Sequence, residues 1–309
     1  MYNILFFGTP LFAAKILEFL IEKKVSISAV VTQPDRPKGR KLIPTPSATK
    51  MLVGSTIPLL QPEKASDPQF LNKLEEIKAD LYVVVAYGQI LSRKLLAIPP
   101  LGCINVHASL LPQYRGAAPM QRCLMDGCPE TGISIQKMVY QLDAGDVIAE
   151  ARLQVSPDDT LGDLEEKLCE LSKPLLLEVI GKFEQGIPLG VAQDESKVTY
   201  AAKIETEEMR LDWTLSAETL HNRIRAVSPR PGAWCWIEIN GERKRLKILR
   251  SKVTHHHGKP GEAIEFKNGV CLVATEKGAL QLVEVQPEGK RAMETGDWIR
   301  GCPSIPLFC

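Results

Sequence analysis

Asn105 and His107 stand two residues apart at the end of an apolar run, Cys103-Ile104-Asn105-Val106-His107. In an extended chain that spacing puts both side chains on one face. A carboxamide there can donate to an oxygen gaining negative charge, and an imidazole can take or give a proton. Further along, Gln141-Leu142-Asp143-Ala144-Gly145-Asp146 forms a tight turn with two carboxylates, either of which can orient or charge an imidazole. These residue types together suit acyl chemistry. Taken alone, an Asn-x-His pair is more often a hydrogen-bonded structural pair, so the acidic turn is what makes the combination informative. Other chemistries find less support. The eight cysteines are scattered without a Cys-x-x-Cys pair, which argues against a zinc ribbon or a dithiol redox site. His255-His256-His257 is internal and reads as a solvated loop. No Gly-x-Gly-x-x-Gly follows the first apolar run, so a nicotinamide dehydrogenase is disfavoured.

The elements that must position these groups alternate between strand and helix. Residues 3–7 read as a strand entering the turn Gly8-Thr9-Pro10, followed by a helix over 11–23 and a strand over 27–32. A loop rich in Pro, Lys and Arg spans 33–46, a helix 70–78, and strands 81–86 and 102–107. Unbroken apolar strands are expected where helices cover both sheet faces. The expected fold is therefore α/β with a doubly wound, largely parallel, Rossmann-like sheet, whose ligands bind at the strands' carboxyl ends. Three loops fall there, after Phe7, Ala86 and Val106. From about 186 large apolar residues thin out into a linker. A helix over 216–226 then precedes strands at 233–239, 246–249, 269–274 and 280–285. The turn signals Asn240-Gly241, Lys259-Pro260-Gly261 and Lys277-Gly278 separate them, as in a small OB-like β-barrel. The division expected is a catalytic domain over 1–186, a linker over 187–205 and a C-terminal barrel over 206–309.

Two domains suit 309 residues, and 44% hydrophobic with 24% charged residues is ordinary for a globular protein. Apolar runs such as 81–86 are strand-sized and too short to span a bilayer. The first eight residues lack a basic start and a cleavage site, so no signal peptide is expected, and free thiols point to the cytoplasm. The net charge is +1, with 16 basic against 13 acidic residues over 206–309. Clustering says more: Arg243, Lys244, Arg245, Lys247, Arg250 and Lys252 fall in one stretch without an acid. Such a stretch suits a nucleic-acid backbone, or equally a strand edge protected by charge.

The run Asn105-Val106-His107-Ala108-Ser109-Leu110-Leu111-Pro112, then Arg115-Gly116-Ala117-Ala118-Pro119 and Leu142-Asp143-Ala144-Gly145-Asp146, resembles the folate-dependent formyltransferases. Within that family, Phe7-Gly8-Thr9-Pro10, Thr32-Gln33-Pro34-Asp35-Arg36-Pro37 and Val85-Ala86-Tyr87-Gly88 are similar to the members that formylate methionine carried on initiator tRNA. The likeness continues through Asp212-Trp213 and Ile224-Arg225-Ala226 to Gln286-Pro287-Glu288-Gly289-Lys290, covering nearly the whole chain. It implies a catalytic set of Asn105, His107 and Asp143, with 10-formyltetrahydrofolate as donor and no metal. It implies folate contacts at Ser109, Leu110, Leu111 and Pro112, and at Gly88, Gln89, Ile90 and Leu91. Initiator methionyl-tRNA is the implied partner, with neither DNA nor a membrane involved. The loop holding Arg36, Lys38, Arg40 and Lys41 matches the family's insertion toward the acceptor stem. It is about two residues shorter than in better-known members, and Arg40 is the residue favoured as the wedge. The barrel stretch Arg243, Lys244, Arg245 and Lys247 is the second expected tRNA surface. Alternatives are a formyltransferase for a nucleotide sugar or ribonucleotide, which would need neither the basic loop nor the barrel, and a non-catalytic RNA-binding module, which would not need the Asn105/His107/Asp143 set.

Overall fold

The structure is a computed structural model that describes residues 2–38, 43–55 and 57–309. The chain forms two compact units: residues 1–116, 131–153 and 165–200 in the first, and 117–130, 154–164 and 201–309 in the second.

The first unit opens with β1 (Ile4–Gly8), α1 (Leu11–Glu22) and β2 (Ile27–Val31). A short hairpin of β3 (Arg36–Lys38) and β4 (Ile43–Thr45) follows, then α2 (Ala48–Val53), β5 (Leu59–Leu60), α3 (Pro68–Ile77) and β6 (Leu81–Val85). Next come α4 (Arg93–Leu96), β7 (Cys103–His107) and β8 (Arg115–Gly116). After α5 (Pro119–Met125), which belongs to the second unit, β9 (Glu130–Lys137), β10 (Val147–Gln154) and α6 (Leu161–Lys182) complete the series. The sheet order is β10-β9-β7-β6-β1-β2-β5. Strands β5, β2, β1, β6 and β7 run parallel, and β9 pairs with β7 antiparallel. Every residue of β1 and β6 is buried, which is why neither shows the alternation of a half-exposed strand. Helix α1 buries Phe12, Ala13, Ile16, Leu17 and Leu20, spaced to form one stripe.

From β1 the chain first builds outward through β2 and β5, then returns to lay β6 and β7 on the other side of β1. The connection reverses between β1 and β6, and ligands bind at such switch points. Register puts Gly8 beside Val85 and Val85 beside Val106, so the loops leaving β1, β6 and β7 share one edge. Hydrogen bonds tie the loop after β6 to those after β1 and β2: Thr9 Oγ1 donates to the Tyr87 carbonyl (2.9 Å), as does the Gln33 side-chain amide (2.9 Å). The sequence expectations for β1, α1, β2 and β6 hold to within a residue or two, while α2, α4, β9, β10 and α6 are elements that the structure adds.

In the second unit α7 (Ala217–Ala226) is capped by Ser216, whose hydroxyl accepts from the Thr219 amide. After β11 (Tyr200–Ala201), the strands are β12 (Ala233–Ile239), β13 (Glu242–Thr254), β14 (Ala263–Lys267), β15 (Val270–Ala274), β16 (Ala279–Pro287), β17 (Met293–Glu294) and β18 (Leu307–Phe308), with α8 (Thr295–Arg300) before the last. They pair antiparallel in the order β14-β15-β16-β13-β12-β18, with β17 paired to β16. The Phe308 amide donates to the Gly261 carbonyl (3.3 Å), joining β18 to the entry of β14 and nearly closing a barrel. Gly261 sits at φ +83°, where a Cβ would lie 2.5 Å from the Phe308 carbonyl oxygen. Leu220, Ile224, Ile237, Leu246, Ile248, Val273, Leu282 and Trp298 share the core. Strand β13 is far longer than the 246–249 expected: Arg243, Arg245 and Lys247 alternate outward while Leu246 and Ile248 point inward.

Candidate active site

Strand β7 presents Asn105 and His107 on one face, and antiparallel β9 sets Gln136 opposite Asn105 and Ser134 opposite His107. His107 is buried, with its Nε2 2.9 Å from the Tyr114 carbonyl oxygen. A carbonyl only accepts, so Nε2 carries a hydrogen and Nδ1 faces the rest of the site. There the Asp143 carboxylate stands 3.7 Å away, close enough to act on the charge of the imidazole but too far for a direct hydrogen bond. Of the two acidic residues in the turn, Asp143 is the one that meets the histidine. Asn105 is half-buried, and its carboxamide makes no hydrogen bond among the described residues. A donor of that kind beside an imidazole is ready for an oxygen that becomes anionic.

Asp143 is itself tightly held. Its Oδ2 accepts from the Gly116 amide (2.9 Å) and its Oδ1 from the Gln136 side chain (2.9 Å). Its backbone lies at φ +47°, a conformation that costs an L-residue about 1 kcal/mol or more. Two residues on, a Cβ at Gly145 would fall 1.7 Å from the Lys137 carbonyl oxygen, so only glycine lets the turn lie this close to β9. Gln136 and Gln193, which donates to the carbonyls of Asp143 and Gly145, were not singled out from sequence. For Gln136 a signal existed: Ser134 and Gln136 alternate with Ile133 and Ile135, marking one polar face of the strand.

The segments expected at the folate flank this centre. Ser109 is fully buried and its hydroxyl donates to the Gln113 carbonyl (2.6 Å). Ser134 Oγ donates to the Ser109 carbonyl (2.8 Å) and accepts from the Leu111 amide (3.0 Å), fixing the chain that bears buried Leu111 between half-buried Leu110 and Pro112. Gly88 takes φ +85° beside the Gln33 amide. Gln89 binds the 62–65 loop through the Ala65 amide (2.8 Å), Leu91 is buried, and Ile90 is 84% exposed. With Leu142, also exposed, Ile90 leaves apolar surface on the loops around the polar centre. Thiols take no part in this geometry: buried Cys103 is pushed up to about 12 by desolvation.

Comparison with known proteins decides the family. The formyl transferase family model matches residues 2–180, and that of the formyl transferase C-terminal domain matches 203–303. A methionyl-tRNA formyltransferase of Protochlamydia amoebophila is 49% identical over 97% of this chain and 95% of its own length. Those of Symbiobacterium thermophilum and Staphylococcus epidermidis are 44% and 41% identical, each over 97% of this chain and 93% and 96% of their own. This chain belongs to the methionyl-tRNA formyltransferase family. It is an enzyme of formyl transfer. Solved structures share its fold. HypX of Aquifex aeolicus in complex with tetrahydrofolic acid aligns with TM-score 0.68 at 18% identity, over 96% of this chain and 47% of that longer one. The sugar 3N-formyl transferase WlaRD aligns at 0.66 and 17%, over 94% and 99%.

The basic residues considered for RNA in this family member differ in what surrounds them. Arg243 stacks over Trp236 and Arg245 over Trp234, each 4.9 Å from the ring centroid, so cations and indoles interleave on the outer face of β12 and β13. Lys247 shares their parity and donates to the Pro231 carbonyl (2.6 Å), and partial burial lowers its pKa. Lys244 points the other way and pairs with Glu242 (2.5 Å), while Arg250 lies between Asp163 (3.4 Å) and Glu284 (3.8 Å). The stretch that reads as one cluster is thus a face of three cations with neighbours of different alignment. On the β3–β4 hairpin Arg36 pairs with Glu63 (2.9 Å). The side chain of Lys38, and Arg40 and Lys41 entirely, lie outside the described residues. No helix among the described residues is long and apolar enough to cross a membrane.

Proposed function

We propose that this chain transfers the formyl group of 10-formyltetrahydrofolate to the amino group of methionyl initiator tRNA, in the cytoplasm, giving N-formylmethionyl-tRNA for translation initiation. The observation that carries this is the 49% identity over 97% of the chain to a methionyl-tRNA formyltransferase of matching length. The arrangement around His107 supports the chemistry. The methionyl amine attacks the formyl carbon, a C–N bond forms, and the formyl oxygen gains charge. Asn105 donates to that oxygen, and His107 in its cationic form stabilises it. With Nε2–H bound to the Tyr114 carbonyl, Nδ1 is the ring atom left for this work. The bond from the carbon to N10 then breaks, the proton lost by the amine passes to N10, and tetrahydrofolate leaves. Asp143, beside Nδ1, favours the charged imidazole and relays that proton, directly or through water. The amine itself attacks, so no serine or cysteine nucleophile is required.

The folate lies along Gly88–Leu91 and Ser109–Pro112 in this reading, where exposed Ile90 and Leu142 offer apolar contact to a flat heterocycle. The tRNA meets the segment that carries Arg36, Lys38, Arg40 and Lys41, and the barrel face with Arg243, Arg245 and Lys247. The functional division is a catalytic part over 1–186, a linker over 187–205 and a tRNA-binding part over 206–309. Mass analysis of charged initiator tRNA after incubation with the protein and 10-formyltetrahydrofolate tests the reaction, with one added formyl group expected. The fold shared with sugar N-formyltransferases favours a second substrate class for the control. Formylation of a nucleotide-linked amino sugar, with none on tRNA, would replace this reading. Arg40→Ala is expected to reduce initiator turnover more than elongator turnover; equal losses would assign the wedge to another residue.

A further inference from the structure

Segment 190–199 crosses the catalytic loop as a strap. Val191 exchanges backbone hydrogen bonds with Val147 (2.8 and 2.9 Å), and Thr199 is bonded to Tyr114 and Arg115 (2.8 and 2.9 Å). Between these anchors Gln193 turns its carboxamide onto the Asp143 turn, donating to the carbonyls of Asp143 and Gly145, both at 2.7 Å. Its oxygen accepts from Arg115 Nε (3.0 Å). Arg115 is fully buried and carries only donors, so it fixes which end of the Gln193 amide faces the turn. Its remaining charge meets Glu195, on the same strap, at 2.7 Å. The neighbours of Arg115 hold two members of the centre: the Tyr114 carbonyl accepts from His107, and the Gly116 amide donates to Asp143.

We infer that Gln193, oriented by Arg115, is a positioning residue that holds Asp143 in its left-handed conformation with the carboxylate beside His107. An L-residue at φ +47° relaxes unless something external holds its peptide. Two amide donors on the carbonyls of 143 and 145 supply that hold without touching the reacting atoms. The inference rests on the catalytic role proposed for Asp143.

Gln193→Glu is the informative substitution. It keeps the shape and keeps an acceptor for Arg115, so the strap stays anchored, but a carboxylate faces the two carbonyls with no hydrogen to donate. Single-turnover formyl transfer by the full chain is expected to fall about thirtyfold, in the range of ångström-scale misplacement, with KM for both substrates within about twofold. Gln193→Ala is expected to lose activity similarly. In an Asp143→Ala background neither change should lower the rate further, because the hold has nothing left to position. A purely structural role would give the same fold-loss in both backgrounds, and that result, or Gln193→Glu within about threefold of the parent, would overturn the inference. Parent-level turnover in Asp143→Ala alone would instead remove the catalytic reading beneath it.

Discussion

Replacing Asp143 with Asn removes a charge while preserving shape, and the structure sets the size of the effect. The carboxylate lies 3.7 Å from His107 Nδ1, with both side chains nearly buried. At an effective dielectric of about 20, a full charge pair at that distance amounts to about 4 kcal/mol. An amide retains one acceptor of two. Its NH2 must then face either the Gly116 N–H or the Gln136 NH2, donor against donor. Gln136 can answer by rotating its amide, but its oxygen already faces Gln193 Nε2 at 3.4 Å. The lost hydrogen bond costs about 1 kcal/mol of folding stability. The loss in the transition state is larger, because the charge on the imidazole matters most when the formyl oxygen is anionic. A fall in kcat of roughly a hundred- to a thousandfold is expected, with the donor's KM within about threefold. Single-turnover transfer to charged initiator tRNA, followed by mass, measures the first; a denaturant melt separates out the second. A kcat loss under about tenfold in a folded variant would refute the reasoning that Asp143 acts through charge.

Other expectations follow from the second unit. His221 is buried between Ser251 Oγ (3.0 Å) and the Pro157 carbonyl (3.1 Å), and desolvation, aided by Arg225, lowers its pKa below 6.5 despite Asp158. The unfolded chain then takes up a proton first, so stability is full above 6.5 and falls as pH drops below it; His221→Gln should flatten that slope in melts taken across the range. Neutralising Arg243, Arg245 and Lys247 should reduce the salt slope of tRNA binding by about two and weaken initiator and elongator alike, while an unchanged slope would mean that this face does not meet phosphate. Gly261→Ala should destabilise the barrel by about 2 kcal/mol or more, read by denaturant unfolding, since it combines a left-handed backbone with a Cβ against the Phe308 carbonyl.

What could be read from sequence divides along a physical line. The sheet whose strand β7 carries Asn105 and His107 was legible because unbroken apolar runs are what a doubly covered sheet demands. Spacing alone then put the two side chains on one face. The acidic turn was legible as a turn, but choosing Asp143 over Asp146 took the family likeness, and the fold makes the same choice through Gly116 and Gln136. Gln193 left no trace. It lies 50 residues from Asp143 and binds main-chain carbonyls, which every residue possesses, so no complementary side chain marks its target. The extent of β13 was hidden for a related reason: Arg243 and Arg245 read as charge, whereas their guanidinium groups lie flat on Trp236 and Trp234 and behave as part of a strand surface. Backbone strain supplies the missing signal in reverse. Asp143 at φ +47° is a residue in a place its Cβ disfavours, and such a conformation persists only where neighbouring groups over-determine it. The carboxylate's own bonds fix the side chain but leave the peptide free to turn. The donors that stop it must therefore approach from outside the loop, and the strap carrying Gln193 is where they come from.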